Sequence, residues 1–334
     1  MITLQIIWFV LVGLLFTGYA ILDGFDLGVG FWHLFTKSDE DRRFLIRSIG
    51  PVWDGNEVWL ITGGGALFAA FPPVYATVFS GFYLPLILVL MGLIFRAVGI
   101  EVRSKVEDTG WRKKWDVAFS LGSIVPALLF GVVLGNIARG IELDASGNYV
   151  GGFFALLNPY ALLVGLTGLA MFAVHGAIYL AMKSEGDLYR RVKSWGDKAW
   201  YVYLGLFSIV SLWSLIAYQR GSMALAIVAA LLALAGIVGI KFFSKKGADG
   251  KAFISSSVSI AALFGAVAAT VFPNVVPALT NESLSLTLYN SSSSQMTLTV
   301  MLIIALVGMP LVIGYTAYIY KTFAGKITAD DLDY

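Results

Sequence analysis

The chain has 334 residues, of which 58% are hydrophobic and only 13% are charged. Soluble domains carry about a quarter charged residues, so this composition, with a mean hydropathy of +0.81, predicts an integral membrane protein. The net charge of +2 comes from basic residues spread over short segments, which does not indicate a nucleic-acid partner. Cysteine is absent, which excludes disulfides and thiolate metal sites, and two histidines cannot build a multi-histidine metal centre.

Nine apolar segments follow one another along the chain, each long enough to cross a membrane as a helix of about 20 residues. They lie near 4–35, 50–72, 74–101, 117–138, 157–182, 198–218, 222–243, 253–273 and 297–321. The pattern predicts an all-α fold with nine transmembrane helices in a single polytopic membrane domain, 1–334.

The basic residues test this count. Twenty of the 23 lysines and arginines lie in the four alternate connections and the tail; the opposite connections hold only Arg139 and Arg220, and Arg96 lies inside the third helix. The positive-inside rule then places the N-terminus outside and the C-terminus in the cytoplasm. Helices 1–4 (about 4–138) and helices 5–8 (about 157–273) would form two four-helix bundles, with helix 9 (about 297–321) peripheral.

The second predicted helix carries an unusual start, VWDGNEVWLITGGGALFAAFPP at 52–73. Asp54 and Glu57 precede an apolar run, and their spacing of three puts them on one helix face. Ionisable side chains in a membrane helix are costly unless they face a protein interior or a wet cavity. Gly63, Gly64 and Gly65 then predict close approach of another backbone. We therefore expect this segment to be a membrane-buried helix whose acids face a protein interior or a wet cavity.

Further charges lie at similar depths in neighbouring helices. At 1.5 Å per residue from the cytoplasmic connections, Asp54 is roughly 10 Å deep, Glu57 roughly 15 Å and Arg96 roughly 10 Å. Asp26 and Asp23 of the first helix are about 16 and 21 Å deep. These side chains are therefore predicted to meet in the cytoplasmic half of the membrane.

Four carboxylates facing one guanidinium admit two interpretations. The favoured one is a proton path through Asp54, Glu57, Asp23 and Asp26, because one arginine cannot neutralise four buried acids. In the other, Asp54 or Asp26 pairs with Arg96 and locks helices together. For any single acid both interpretations stay open. The remaining buried polar and counter-charge candidates of this cluster are Arg96, Asn56 and Trp53.

Two weaker signals have simpler explanations. The glycines of DGFDLGVG at 23–30 predict close helix packing rather than a phosphate loop, because no strand precedes them. His33 or His175 could ligate a haem by chemistry, but a lone histidine among aromatic residues is more often a hydrogen-bonded interior group.

Several segments resemble subunit II of the cytochrome bd-type quinol oxidases over nearly the full length. The most specific is the Trp-Asp-Gly-Asn segment. The segments are GFDLGVG (24–30), VWDGNEVWLITGGGALFAAFP (52–72), FSGFYLPLILVL (79–90), FRAVGIEVRSK (95–105), LLNPYALLVG (156–165) and SSSSQMTLTVM (291–301).

The resemblance implies a non-haem subunit of a bacterial cytoplasmic-membrane oxidase that reduces dioxygen to water with electrons from quinol. It implies two b-type haems and one d-type haem on a partner, subunit I, and no cofactor or metal ligated by this chain. A small single-helix subunit is a further candidate partner. It places Asp54 on a proton path from the cytoplasm. The alternative function, a proton- or cation-coupled secondary transporter, is weaker because matched broken helices are not evident.

Overall fold

The computed structural model describes residues 1–218 and 220–327, which are almost entirely helical. Two short strands, β1 (Asn274–Val276) and β2 (Leu286–Thr287), pair antiparallel before the last helix. The helices of the described ranges are α1 (Ile2–Phe35), α2 (Asp39–Ile49), α3 (Trp53–Ala70), α4 (Pro72–Gly81), α5 (Tyr83–Val102), α6 (Thr109–Arg139), α7 (Pro159–Lys183), α8 (Gly186–Ala217), α9 (Met223–Lys245), α10 (Asp249–Val271) and α11 (Gln295–Thr322).

The helix starts follow from local side-chain chemistry. Ser38 before α2, Asp108 before α6 and Ser294 before α11 each accept a hydrogen bond from a backbone N–H in the first turn. Asn158 does the same for α7, whose first residue is Pro159, a residue that needs no N–H partner at that position. These caps satisfy donors that would otherwise be left unpaired at the helix ends.

In the described part of the chain, eight helices are long and apolar enough to cross a membrane: α1 and α5 to α11. The all-helical membrane fold is thereby confirmed. The segment predicted as the second crossing is helical as α3, but it is not one of these eight, and its first turns carry the polar residues Asp54, Asn56 and Glu57. Nine crossings and the orientation of the termini therefore stay predictions.

Two sequence-based expectations were wrong. The connection after the first helix is not a plain loop, because α2 forms there as an amphipathic helix with an acidic first turn. The predicted third helix at 74–101 is two helices, α4 and α5, separated at the buried residue Phe82. Pro85 lies in the first turn of α5 and cannot donate the N–H that a continuous helix would require.

Helix α1 is central to the packing, since it contacts α3, α6 and α7 along extended faces. It carries the buried acids of the site, so its neighbours decide which groups face them. Helix α11, by contrast, packs little against the rest of the chain. All of its residues lie in the described ranges, and only Leu298 is buried. The outer helices thus leave apolar surface open to lipid or to another chain.

The crossing of α1 and α7 depends on glycine. A Cβ atom on Gly28 would lie 1.9 Å from the carbonyl oxygen of Phe172, and one on Gly176 would lie 2.5 Å from the backbone carbon of Gly28. No side chain fits in this space. The predicted role of the 23–30 glycines in close helix packing is confirmed, and the phosphate-loop alternative is not supported.

We expect Gly28→Ala to lower thermal stability clearly, because its Cβ would meet backbone rather than a movable side chain. Overpacking costs about 1–3 kcal/mol, and this contact places the variant at the upper end. Gly205→Ala on α8 is the matched control, because nothing lies within 4 Å of a Cβ there. The measurement is the melting temperature of each purified variant. Equal melting of the two variants would contradict the packing argument.

Candidate functional site

The first part of the site is an ion cluster around Arg96 of α5, whose side chain is fully buried. Its Nη1 and Nη2 atoms donate to the two carboxylate oxygens of Asp23 on α1, at 2.9 and 2.7 Å. Nη2 also donates to Oε1 of Glu57 on α3, at 2.6 Å. The planar guanidinium suits such bidentate contacts. Arg96 therefore joins three helices and faces two carboxylates at once.

The second part is a hydrogen-bond chain that ends on Asp26. The carboxyl group of Asp26 is fully buried, and its Oδ2 accepts a hydrogen bond from Nδ2 of Asn56 at 2.8 Å. Oδ1 of Asn56 accepts in turn from the hydroxyl of Tyr320 on α11, also at 2.8 Å. Within residues 1–218 and 220–327, Oδ1 of Asp26 has no hydrogen-bond partner. Asp26 is thus held by an amide and not by a cation.

The charges of the two parts do not balance. Arg96 contributes one positive charge, whereas Asp23, Glu57 and Asp26 contribute three carboxyl groups. Charges without partners are expensive in a low-dielectric interior, so the three carboxyl groups cannot all be ionised at the same time without a further cation or water. A cluster of this kind can hold a proton and pass it on. That is the chemistry the geometry supports.

Asp54 differs from the other acids. It lies in the first turn of α3 with an exposed side chain, and among the described residues it forms no hydrogen bond or ion pair. Glu57 follows three residues later and is close enough for an electrostatic interaction with it. The side chain of Glu57 is 21% exposed, while that of Asp23 is fully buried. The acids therefore form a series from the surface of this chain to its interior.

The structure corrects the alternative in which Arg96 pairs with Asp54 or Asp26, and it gives Trp53 no partner in the cluster. The partners of Arg96 are Asp23 and Glu57, not Asp54 or Asp26. Which acids meet Arg96 depends on the rotation of α1, which its sequence alone does not specify. Trp53 is half-buried at the start of α3, and no contact of the described residues gives it a role in the cluster.

The expectation that the glycines of α3 bring another backbone close is not met within this chain. No described residue lies within 4 Å of a Cβ on Gly64 or Gly65, and the ring of Phe16 is the described group nearest to Gly63. This side of α3 is open in the described structure, as is the side chain of Asp54.

Two tyrosines belong to the site and were missed by sequence reasoning. Tyr320, on the last helix, reaches Asn56 from 264 positions away in sequence. Tyr19 is 4% exposed, one turn before Asp23, and its hydroxyl has no hydrogen-bond partner among the described residues. The spacing of four between Tyr19 and Asp23 could have indicated a shared face. For Tyr320 there was no local signal.

A separate ionic network lies near the ends of α1, α5 and α6, and it too was missed. Asp116 accepts from Nε of Arg103 at 2.5 Å and from Nη1 of Arg42 at 2.6 Å, and it lies 3.3 Å from Nε2 of His33. Nη2 of Arg103 also donates to Asp39 at 2.7 Å. Partial burial acts against ionisation of Asp39, but the hydrogen bond and charge of Arg103 prevail and lower the pKa of Asp39. This network connects α2 to the membrane helices.

Both histidines are hydrogen-bonded interior residues, as predicted. Nδ1 of His175 is 2.9 Å from the hydroxyl of Ser256, and its Nε2 donates to the carbonyl of Ile21 at 3.0 Å. Nδ1 of His33 is 3.3 Å from the hydroxyl of Ser120, with Nε2 beside Asp116. Both ring nitrogens of His175 are therefore engaged with protein groups, an arrangement that does not suit axial ligation of a haem, whereas Nε2 of His33 lies beside Asp116 without a hydrogen bond among the described residues. In the described ranges, no group of three or more His, Asp or Glu is arranged to hold a metal.

Comparison with known proteins agrees with the resemblance seen in the sequence. The profile of the family described as cytochrome bd terminal oxidase subunit II matches residues 4–323. The chain is 38% identical to "Cytochrome bd-I ubiquinol oxidase subunit 2" of Escherichia coli (strain K12), covering 99% of this chain and 97% of that protein. It is 36% identical to "Cytochrome bd ubiquinol oxidase subunit 2" of Bacillus subtilis (strain 168), covering 98% of each.

A solved structure shares the fold. A chain of the bd oxidase from Geobacillus thermodenitrificans aligns with a TM-score of 0.79 at 18% identity, covering 96% of this chain and 98% of that one. Neither comparison supports the transporter alternative. The family match over nearly the whole length decides the assignment: this chain belongs to the cytochrome bd terminal oxidase subunit II family.

Proposed function

We propose that this chain is the non-haem subunit of a bd-type quinol:dioxygen oxidoreductase, supporting the haem-bearing subunit I and supplying a proton path from the cytoplasm. The family match supports membership of a terminal oxidase complex. The proton path has its own support, which is the graded series of acids from exposed Asp54 to buried Asp26. Among the described residues, Arg96 alone balances these acids. This series is the observation that carries the proposal.

Each residue of the path has a distinct task in the proposal. Asp54 takes up a proton at the surface of this chain and exchanges it with Glu57, one helical turn away. Arg96 holds Asp23 by two hydrogen bonds and Glu57 by one, which fixes both carboxylates in place without neutralising them completely. Asp26, which is held by Asn56 and pairs with no cation of residues 1–218 and 220–327, accepts and releases a proton at the buried end.

The open side of α3 supports the position of subunit I. A carboxylate such as Asp54 cannot face lipid cheaply, and the space beside Gly64 and Gly65 permits close approach of a second backbone. We propose that subunit I covers this face, so that Asp54 lies at the boundary between the two chains. A small single-helix subunit is a further candidate for the apolar surface that remains.

The proposed complex carries two b-type haems and one d-type haem, all bound by subunit I, and it takes electrons from quinol in the bacterial cytoplasmic membrane. The hydrogen bonds of His175 support this division of labour, because both of its ring nitrogens already serve protein groups. The haems would supply the electron transfer and oxygen chemistry. This chain would supply support and protons.

The proposed topology has nine crossings, with α3 as the additional crossing, the N-terminus outside and the C-terminus in the cytoplasm. Four-helix units at about 4–138 and 157–273 and the peripheral helix at 297–321 remain part of this proposal. We expect reporter fusions at positions 145, 185 and 334 to read outside, inside and inside; position 334 lies beyond the described residues. This expectation follows from the positive-inside rule, because most basic residues lie in the connections and the tail that are proposed to be cytoplasmic. An outside signal at 334 would contradict the topology.

Gentle solubilisation and affinity purification through this chain test the function as a whole. We expect a haem-bearing chain to co-purify in equal amount, with haem absorption and oxygen consumption that depends on added quinol. A colourless preparation that binds no second chain would contradict the proposal, and proton-coupled solute uptake by such a preparation in vesicles would favour a transporter instead.

A further inference from the structure

Helix α11 touches the rest of the chain at few points, yet one of its side chains reaches the buried site. Only Leu298 of this helix is buried, and its large side chains around 300–318 are mostly exposed. Tyr320 is the exception near its cytoplasmic end. Its ring packs edge-to-face against Phe25, the residue before Asp26, at 6.4 Å between ring centres, and its hydroxyl reaches Asn56.

We infer that Tyr320 is a positioning residue that sets the orientation of the Asn56 amide and thereby controls how readily Asp26 takes up a proton. The inference rests on the proposed proton path, to which it adds a residue on α11. It assigns no proton-carrying role to the phenol itself.

The Tyr320 hydroxyl favours one of two amide orientations, because a phenol donates a hydrogen bond more readily than it accepts one. The Asn56 side chain has an acceptor oxygen and a donor NH₂ group, so it can present either one to Asp26. In the structure the hydroxyl donates to Oδ1, and Nδ2 is therefore directed at Asp26. A phenylalanine at position 320 could not donate this bond. The amide would then be free to turn its oxygen towards Asp26.

The two orientations favour different forms of the carboxyl group. An NH₂ group that donates to Asp26 stabilises the carboxylate, since a hydrogen bond to the charged form favours that form. An amide oxygen in the same place can only accept, so it favours the protonated acid. Because Asp26 has no cation of its own among the described residues, this single bond has unusual weight there. Loss of the Tyr320 hydroxyl should therefore make Asp26 hold its proton to higher pH.

The remaining charged and titratable groups around Asp26 do not depend on Tyr320. Asp23 on the same helix is paired with Arg96 of α5, which also holds Glu57 of α3. The hydroxyl of Tyr179 on α7 donates to the carbonyl of Ser48, and His175 of the same helix is bonded to Ser256 on α10 and to Ile21. A change confined to Tyr320 thus leaves every ion pair near Asp26 in place.

Tyr320→Phe in the intact complex tests the inference. We expect normal yield and haem absorption, and a pH profile of quinol-driven oxygen consumption whose acidic limb moves to higher pH by about one unit, the effect of losing one hydrogen bond to a charged group. Tyr318→Phe is the matched control, because this tyrosine lies on the same helix with its side chain 65% exposed. It should keep the profile of the unmodified complex.

Infrared spectroscopy separates this inference from the proposed function, because it needs no turnover. The carbonyl stretch of protonated Asp26 is identified as the band that Asp26→Asn removes. In Tyr320→Phe we expect that band to change frequency and to persist to higher pH. Adding Tyr320→Phe to Asn56→Ala should change nothing further, since the amide that transmits the effect is already gone.

Several results would overturn the inference: an Asp26 band that is unchanged in Tyr320→Phe, an equal shift in Tyr318→Phe, a full shift on top of Asn56→Ala, or the absence of any Asp26 band at all pH values.

A failure of the proposed function would give a different set of results. Normal oxygen consumption in both Asp26→Asn and Asp54→Asn would remove the proton path, while the infrared response of Asp26 to Tyr320 would still decide the inference.

Discussion

Replacing Asp54 by Asn is expected to leave the complex assembled and coloured, while quinol-driven oxygen consumption per haem falls at least several-fold. Asparagine has the shape of aspartate but cannot exchange a proton. Because Asp54 forms no hydrogen bond or ion pair with the described residues of this chain, removing its charge should cost the fold of this subunit little. Oxygen uptake per haem and the yield of intact complex, measured side by side, check the prediction.

Asp187→Asn is the matched control for Asp54→Asn. Asp187 is an exposed acid in the first turn of α8, and its ion-pair partner is the exposed Arg190. Its replacement should change neither yield nor turnover. The structural interpretation of Asp54 makes the opposite forecast, in which complex is lost but each assembled complex keeps near-normal turnover. That outcome would move Asp54 from the proton path to the contact with subunit I.

Arg96→Ala is expected to cause the largest loss of stability of any substitution in the site. It would leave Asp23 buried with no cation, and breaking a buried pair in this way costs about 3–5 kcal/mol. We expect a strongly reduced yield and melting temperature of the complex. Arg190→Ala removes an arginine from an exposed ion pair and should change both little.

The double variant Arg96→Ala with Asp23→Asn shows whether charge is the reason. If the unpaired carboxylate causes the loss, neutralising Asp23 should recover part of the stability, so the two substitutions will not be additive. Melting temperatures of the single and double variants give the coupling. A stability of Arg96→Ala equal to that of the unmodified complex would show that Arg96 is not needed to offset the acids.

Composition and periodicity were sufficient for the large features. Runs of about 20 apolar residues identified eight helices that meet the criteria for a membrane span, because the cost of burying polar backbone leaves few other structures for such runs. Counting residues from the basic connections also brought Asp23, Glu57 and Arg96 to one layer, where the structure joins them.

The rotation of each helix about its own axis could not be predicted from composition or from counting residues. Asp23 and Asp26 are three residues apart and both buried, yet Arg96 binds the first and Asn56 the second. Only the packing of α1 against α3 and α5 distinguishes the two. The contact of Tyr320 depends on the path of α11 across the other helices, which no local pattern encodes.

The structures formed by polar residues near the helix ends were also not predicted. The amphipathic helix α2 was not predicted, because it contains no long apolar run, although Ser38 and the acids after it are a recognisable helix start. The ionic network around Asp116 was not predicted either: the sequence indicated His33 as an interior residue, but no local pattern indicated that Arg42 and Arg103 enclose Asp116.

Time-resolved proton uptake tests the central claim most directly. The fully reduced complex is mixed with oxygen in weakly buffered solution, and a pH-sensitive dye follows protons taken from the medium while haem absorption follows electron transfer. The proposed path predicts that Asp54→Asn slows proton uptake at least several-fold, while oxygen still binds at the normal rate. Proton uptake at the unmodified rate in an intact Asp54→Asn complex would contradict the claim that this subunit carries the path through Asp54.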